Sequence, residues 1–195
     1  MRIVVGLGNP EGEYKGTRHN IGFELVNKMA YDHNIPVERK KHRGLFGTGT
    51  IAGKSVALVK PQTYMNRSGE CVREVLDFYK LTLADLIVVY DDVSLALGDI
   101  RVRERGSSGG QKGMQNIIAQ LGSDEFVRIR IGIGAKPERM SLADYVLWRF
   151  LPEEHEGMIA GVTRAGEALQ MILKDGVTAA MNSFNRKSEV DIDDR

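Results

Sequence analysis

Residues 86–92 read LIVVYDD, a run of five apolar residues that ends in two aspartates. A continuous apolar run is typical of a β-strand covered on both faces, as in parallel sheets flanked by helices. A second short run of the same kind, RIVVG at 2–6, opens the chain and ends at a glycine. The two runs predict a sheet buried between layers of helices.

Strands and helices alternate outward from these runs. Apolar periodicity predicts helices at 20–34, 66–80, 111–121, 153–174 and 177–184. It predicts further strands at 46–52, 55–60, 100–103 and 126–133, with a Gly53-Lys54 turn joining the first two. This alternation predicts a single α/β domain with a mixed, mostly parallel sheet. We place the domain at 1–187 and expect the acidic tail SEVDIDDR at 188–195 to be disordered.

Composition excludes several classes of protein. The 195 residues are 42% hydrophobic and 27% charged, which indicates a globular chain. A single cysteine, Cys71, cannot form an internal disulfide and favours a reducing compartment. The four histidines show no zinc-type spacing, and every apolar run is shorter than the roughly 18 residues that a membrane span needs. MRIVVGLGNP is too short for a signal peptide. We therefore expect a cytoplasmic protein with no metal, cofactor or membrane association.

The net charge is only +1, but basic residues concentrate in one stretch. Residues 101–136 hold seven basic and three acidic residues. Such a stretch is either a solvated face or a surface that binds a polyanion. Charge alone does not decide between them.

The first strand runs into the turn GLGNP at 6–10. A dinucleotide fingerprint, G-x-G-x-x-G, needs a glycine at position 11, where Glu11 stands, and Pro10 interrupts the turn. These residues disfavour a nucleotide-dependent oxidoreductase. The alternative is a tight turn that projects Asn9 into a cleft, where its amide offers both a donor and an acceptor.

The strand at 86–90 ends at Asp91, and ligands of α/β sheets bind beyond such carboxyl ends. A carboxylate there binds a metal or orients a catalytic histidine. His19 lies in GTRHNIG at 16–22, where a polar loop enters the first helix. From the pattern alone, His19 is either a structural histidine or the partner of Asp91.

Two further loops precede predicted helices. In KPQTYMN at 60–66, Asn66 either caps the following helix or contacts a ligand. In SGGQKG at 108–113, backbone N–H groups at a Gly-rich helix start suit phosphate or another anion.

Taken together, these motifs form an ordered set. It comprises GLGNP at 6–10, TRHNIGF at 17–23, KPQTYMNRSG at 60–69, Asp91, SSGGQKG at 107–113, RIRIGIG at 128–134 and DYVL at 144–147. In this combination the sequence resembles the bacterial-type peptidyl-tRNA hydrolases over about residues 1–184. The resemblance implies one α/β domain with a twisted mixed sheet surrounded by helices. It also implies hydrolysis of the ester between a peptide and the terminal ribose of a tRNA released from a stalled ribosome.

The resemblance also implies roles for individual residues. His19 corresponds to the general base that activates water, and Asp91 to the carboxylate that orients it. Asn9 and Asn66 correspond to asparagines that hold the substrate near the ester. The residues expected to contact the peptide or the tRNA are Tyr14, Tyr64, Met65, Arg103, Lys112 and Arg130. The implied partner is peptidyl-tRNA, bound by a monomer. A non-catalytic RNA-binding relative of this fold is the alternative, although such a protein is expected to lack His19, Asp91 or the asparagines.

One segment departs from the family pattern. Many relatives read GGHNG where this chain reads GGQKG at 109–113, so Gln111 and Lys112 replace a histidine and an asparagine. Lys112 is either an outward lysine without a role or a point charge that contacts a tRNA phosphate.

Overall fold

The computed structural model describes residues 1–186, so the predicted tail at 188–195 lies outside the described residues. The described strands form one seven-stranded sheet in the order β2-β3-β4-β1-β5-β7-β6. They are β1 Arg2–Gly6, β2 Arg39–Lys41, β3 Gly44–Ile51, β4 Lys54–Pro61, β5 Leu86–Asp92, β6 Ile100–Arg103 and β7 Val127–Gly132. The α-helices are α1 Ile21–Asp32, α2 Ser68–Tyr79, α3 Lys112–Leu121, α4 Leu142–Leu147, α5 His155–Asp175 and α6 Val177–Phe184.

The sheet is mixed and mostly parallel, which confirms the predicted fold class. Strands β4, β1, β5 and β7 pair in parallel, whereas β3 and β6 run antiparallel to their neighbours. The carboxyl ends of β1, β4 and β5 therefore lie at one edge of the sheet, where α/β proteins place their ligands.

Both faces of the sheet are covered, which explains the continuous apolar runs. Val4 in β1 faces a core layer that includes α1 and α5, while its neighbours Ile3 and Val5 face a second layer with α2 and α3. Successive side chains of a strand point to opposite faces, so a strand between two helical layers needs apolar residues throughout. Within residues 1–186, no helix is both long and apolar enough to cross a bilayer.

The structure differs from the sequence predictions in one turn and in two elements that were not predicted. The β3–β4 turn consists of Ala52 and Gly53, both with positive φ, and Lys54 already belongs to β4. A two-residue hairpin turn whose twist matches the strands needs positive φ at both positions. Strand β2 was not predicted because its three residues are all basic and exposed. Helix α4 was not predicted because its six residues are too few to establish a periodicity.

Helix α1 packs unusually close to the ends of β1 and β5. A Cβ atom added at Gly22 would lie 2.5 Å from both Leu7 N and Val89 O, and one added at Gly6 would lie 2.1 Å from Gly22 O. Only glycine at both positions permits this approach. It sets the turn that precedes α1, with His19, beside the carboxyl end of β5.

We expect Gly22→Ala to lower the free energy of unfolding by about 1–3 kcal/mol, because the added methyl group meets backbone atoms that cannot move aside. Urea denaturation measures this change. Gly12→Ala is the matched control, since nothing lies within 4 Å of a Cβ at Gly12. Equal stability of the two variants would contradict the close-packing argument.

Candidate active site

A cavity of about 470 Å³ opens at the sheet edge formed by the ends of β1 and β5. Eight of the residues predicted to act in the site line it. They are Asn9, His19, Met65, Asn66, Asp91, Arg103, Lys112 and Arg130. The structure thus brings together side chains that lie between positions 9 and 130 of the chain.

His19 and Asp91 are in direct contact in the wall of this cavity. His19 Nδ1 lies 3.0 Å from Asp91 Oδ1 and 2.9 Å from Oδ2, and both residues are less than a tenth exposed. A carboxylate at Nδ1 favours the tautomer that carries its proton there. The other ring nitrogen, Nε2, is then an unprotonated acceptor. The pair has the chemistry of a general base with an orienting carboxylate.

The turn that carries His19 is anchored by its neighbour Arg18. This buried guanidinium donates to the carboxylate of Glu154 at 2.6 and 2.9 Å and to Arg149 O at 2.9 Å, and it lies over the ring of Tyr145. These contacts attach the 3₁₀ turn Arg18–Asn20 to the segment that joins α4 and α5. Arg18 lies in the motif TRHNIGF, but its sequence context predicted no role for it.

Asn9 is held by a neighbouring asparagine that sequence reasoning missed. Asn20 Oδ1 accepts from Asn9 N at 2.8 Å, and Asn20 Nδ2 donates to Asn9 O at 3.0 Å. The Asn9 side-chain oxygen accepts from Met65 N at 2.7 Å. The amide NH₂ of Asn9 is therefore the part of this side chain that remains to donate to a ligand. The only sequence signal for Asn20 was its position directly after His19.

Asn66 does not cap α2, so that alternative is wrong. It lies in the 3₁₀ turn Met65–Arg67, and α2 begins only at Ser68. Its side chain is exposed, and no hydrogen bond joins it to the described part of the chain. Both the donor and the acceptor of its amide are free for a ligand.

Tyr14 and Tyr64 do not line the cavity. Their rings pack edge to face at 6.4 Å, and the Tyr64 hydroxyl donates to the Glu11 carboxylate. This hydrogen bond to a carboxylate raises the pKa of Tyr64. The two tyrosines form a pair beside the loops that carry Asn9 and Asn66.

One wall of the cavity is basic. Arg103 forms no ion pair within residues 1–186, and burial lowers its pKa, an effect to which Arg101 and Arg130 add. Arg130 is partly neutralised, since its Nε donates to Asp92 and its NH2 to Ser94 Oγ at 3.3 Å. Lys112 is exposed at the first residue of α3. This wall can attract an anionic ligand.

A fourth basic residue, Arg128, also lines the cavity and is anchored by backbone carbonyls. It is 1% exposed and donates to the carbonyl oxygens of Gly106 and Asp124, each at 2.5 Å. Burial lowers the pKa of its guanidinium. Arg128 thereby fastens the start of the Gly-rich loop that leads to α3. The sequence signal for this role was an arginine inside a predicted buried strand, because a buried guanidinium needs hydrogen-bond acceptors from the protein itself.

The remaining wall is apolar and comes from α4, a helix too short to be predicted from sequence periodicity. Leu142, Val146 and Leu147 line the cavity together with Met65. The site therefore joins a polar centre to one basic wall and one apolar wall.

The strand-end aspartates have separate partners on the protein. Asp91 contacts His19, and Asp92 accepts from Arg130 and from Ser94 N at 2.7 Å. Within residues 1–186, no three His, Cys, Asp or Glu side chains cluster as metal ligands. Burial raises the pKa of the Cys71 thiol to about 12, so this thiol is protonated at neutral pH and is a poor nucleophile.

Comparisons with known proteins point to one family. Residues 3–191 match the family model for peptidyl-tRNA hydrolase. The chain is 54% identical over 187 residues to a peptidyl-tRNA hydrolase of Lachnoclostridium phytofermentans, covering 96% of this chain and 98% of that protein. It is 47% identical over 185 residues to one from Geobacillus kaustophilus, covering 95% of this chain and 100% of that protein.

Solved structures agree with the sequence comparisons. The crystal structure of peptidyl-tRNA hydrolase from Acinetobacter baumannii superposes with a TM-score of 0.89 at 33% identity, covering 95% of this chain and 94% of that one. A uridine phosphorylase from Vibrio fischeri superposes with a TM-score of 0.55 at 12% identity, covering 89% and 91% of the two chains. That second likeness concerns the fold alone.

We expect Asn20→Ala to lower the free energy of unfolding by at least about 1–3 kcal/mol, because it leaves the buried N–H and C=O of Asn9 without partners. Chemical denaturation measures the loss. Asn66→Ala removes an exposed amide and is expected to change stability by no more than about 0.5 kcal/mol. A similar loss in both variants would show that the Asn9–Asn20 pair contributes nothing specific.

Proposed function

Because the chain belongs to the peptidyl-tRNA hydrolase family, we infer that it hydrolyses the ester between a peptide and the terminal ribose of tRNA, and we propose that His19 activates the attacking water. The observation that carries this mechanism is the contact between His19 Nδ1 and the Asp91 carboxylate in the cavity wall. It leaves Nε2 as the acceptor for a proton.

In the proposed reaction, water attacks the ester carbonyl while His19 Nε2 takes its proton. Asp91 stabilises the imidazolium that forms. The tetrahedral intermediate then expels the ribose oxygen, which receives the proton from His19. The products are a tRNA hydroxyl and a peptide carboxylic acid, which releases its proton to solvent and becomes the carboxylate. General-base catalysis of this type contributes about 10²–10⁴-fold to the rate.

Amide donors are proposed to meet the negative charge that develops on the carbonyl oxygen. The Asn9 side-chain oxygen accepts from Met65 N, so its NH₂ group is the part that can donate to the substrate. Asn66 is exposed at the cavity with its whole amide free. A positioned amide donor stabilises an oxyanion more strongly than it stabilises the ground-state carbonyl.

We propose that the apolar wall of Met65 and α4 receives the peptide. A substrate whose α-amine is acylated presents an amide with which the free amide of Asn66 can pair, whereas a free ammonium group would lose its hydration without gaining a partner. The enzyme is therefore expected to prefer peptidyl-tRNA and N-acylated aminoacyl-tRNA to free aminoacyl-tRNA.

The basic wall is proposed to bind tRNA through its phosphates, with Arg103, Arg130 and Lys112 as contacts. Phosphate contacts position a nucleic acid without reading its sequence, which suits an enzyme that acts on many tRNAs. Tyr14 and Tyr64 lie beside the cavity and are proposed to contact the end of the tRNA. We further propose that the protein acts as a monomer in the cytoplasm.

We expect His19→Ala to lower kcat by about 10²–10⁴-fold, because proton abstraction belongs to the transition state. Binding of tRNA is expected to stay within about twofold of wild type, since phosphate contacts are made in the ground state. Release of N-acetylated amino acid from tRNA measures turnover, and filter binding measures affinity. His155→Ala, at the exposed start of α5, is the matched control.

Two outcomes would contradict this proposal. Near-normal turnover in His19→Ala protein would remove the residue from the role of base. Tight tRNA binding by the wild-type protein without any turnover would identify a non-catalytic RNA-binding protein instead.

We expect Lys112→Ala to raise KM more than it lowers kcat and to reduce the slope of log affinity against log salt by about 1, because one phosphate contact is lost. Salt titrations of tRNA binding measure the slope. Lys174→Ala, exposed in the last turn of α5, is the control and should leave the slope unchanged. A tenfold loss of kcat with an unchanged slope would place Lys112 in the chemical step.

A further inference from the structure

Gln111 joins the start of α3 to the catalytic pair. Its side-chain oxygen accepts from Met114 N at 2.7 Å and so caps the helix. Its Nε2 lies 3.1 Å from Asp91 Oδ1. The same residue thus contacts a helix end and the carboxylate that holds His19.

The two contacts decide how the Gln111 amide is oriented. Since Oε1 accepts from a backbone N–H, the group that faces Asp91 is the NH₂ donor. Among the described residues, Asp91 Oδ1 then accepts from both Gln111 and His19, whereas Oδ2 accepts from His19. The hydrogen bond from Gln111 restricts rotation of the Asp91 carboxylate about its Cβ–Cγ bond.

We propose that Gln111 is a positioning residue of the hydrolytic reaction, which holds the Asp91 carboxylate in the plane that His19 Nδ1 requires. The inference rests on the proposed role of His19 as the base. In this assignment Gln111 touches neither water nor ester and acts through Asp91, although its Nε2 also lies 3.2 Å from Met65 Sδ in the apolar wall.

The choice of glutamine fits this role better than helix capping alone. Asparagine, aspartate, serine and threonine are the favoured N-cap residues, and all of them are shorter. The additional length of glutamine is what brings its NH₂ group to Asp91. A glutamine does not titrate, so this hydrogen bond persists across the pH range in which a histidine at the same place would change its charge.

The contact also couples two parts of the cavity. Lys112 follows Gln111 directly, and the preceding Gly109 and Gly110 both have positive φ. This loop geometry and the Asp91 contact together set where α3 begins. The proposed phosphate-binding lysine and the proposed base are therefore connected through a single side chain and Asp91.

The effect of an added charge at position 111 on His19 depends on the charged groups that already surround the imidazole. On β5, Asp91 faces the ring, while Asp92 is engaged by Arg130. On its own turn, Arg18 points away to Glu154. Helix α4 contributes Leu142 and Val146, and the first turn of α1 is apolar up to Glu24. The cations that share the cavity are Arg103, Arg105, Lys112, Arg128 and Arg130.

Gln111→Ser separates positioning from capping. Serine is a good N-cap but is too short to reach Asp91. We expect kcat for N-acetylated aminoacyl-tRNA to fall about tenfold to a hundredfold, as small misplacements of catalytic groups do, with KM within about twofold of wild type. Gln115→Ser, an exposed position on the same helix, is the control and should match wild type. Circular dichroism and thermal unfolding verify that each variant folds.

Gln111→Glu tests in solution whether the side chain at position 111 lies against Asp91, which the positioning role requires and helix capping alone does not. Glutamate can still accept from Met114 N, but it places a second negative charge beside Asp91. That charge stabilises the imidazolium form of His19, so the acid limb of the kcat profile should move to higher pH, by about one unit or more. Its midpoint does not depend on the amount of folded protein, so this test stands even if Gln111→Ser folds poorly.

The outcomes separate this inference from the proposed function. Wild-type kcat in Gln111→Ser, or an unshifted acid limb in Gln111→Glu, would overturn the positioning role while leaving a His19-dependent hydrolase intact. Full activity of His19→Ala would overturn the proposed base, and the role of Gln111 with it. A reduced kcat in Gln111→Ser together with a shifted limb in Gln111→Glu supports the inference.

Discussion

The rest of the site depends on how closely the first turn of α1 approaches the ends of β1 and β5. Gly6 and Gly22 have no Cβ atoms, and the backbones meet at distances that any other residue would block. This contact puts the turn Arg18–Asn20 beside Asp91, although 72 positions separate His19 from Asp91 along the chain. Glycine weakens a helix interior by about 1 kcal/mol relative to alanine, so the close approach has an energetic cost that the surrounding core offsets.

Once that turn is placed, buried polar groups satisfy one another and define the direction of each side chain. The Asn20 side chain hydrogen-bonds both the N–H and the C=O of Asn9, and Met65 N donates to the Asn9 side-chain oxygen. Burial of these groups without partners would cost free energy, so the alternatives to this arrangement are unfavourable. The result is a polar centre in which the unpaired NH₂ group of Asn9 belongs to a side chain that lines the cavity.

The basic wall and the apolar wall of the cavity differ in how their side chains are stabilised. Arg128 forms no ion pair within residues 1–186 and donates instead to backbone carbonyls, so its charge adds to that of Arg103. Arg130 is partly neutralised by Asp92, which limits the repulsion within the basic wall. Helix α4 forms the apolar wall, since its apolar side chains line the same cavity. A substrate with a polyanionic end and a peptide end matches both walls.

Sequence by itself determined the fold class, because continuous strands such as LIVVYDD at 86–92 and intervening amphipathic helices are local patterns. It also singled out His19, Asp91, Asn9 and Asn66 as candidates, since each follows a strand or precedes a helix in a polar, Gly-rich context. Only the tertiary structure decided that Asn20 holds Asn9, that Arg128 supports a loop, that Tyr14 and Tyr64 stay outside the cavity, and that Gln111 reaches Asp91. These depend on contacts between distant segments, and neither periodicity nor residue type contains the distance between two side chains.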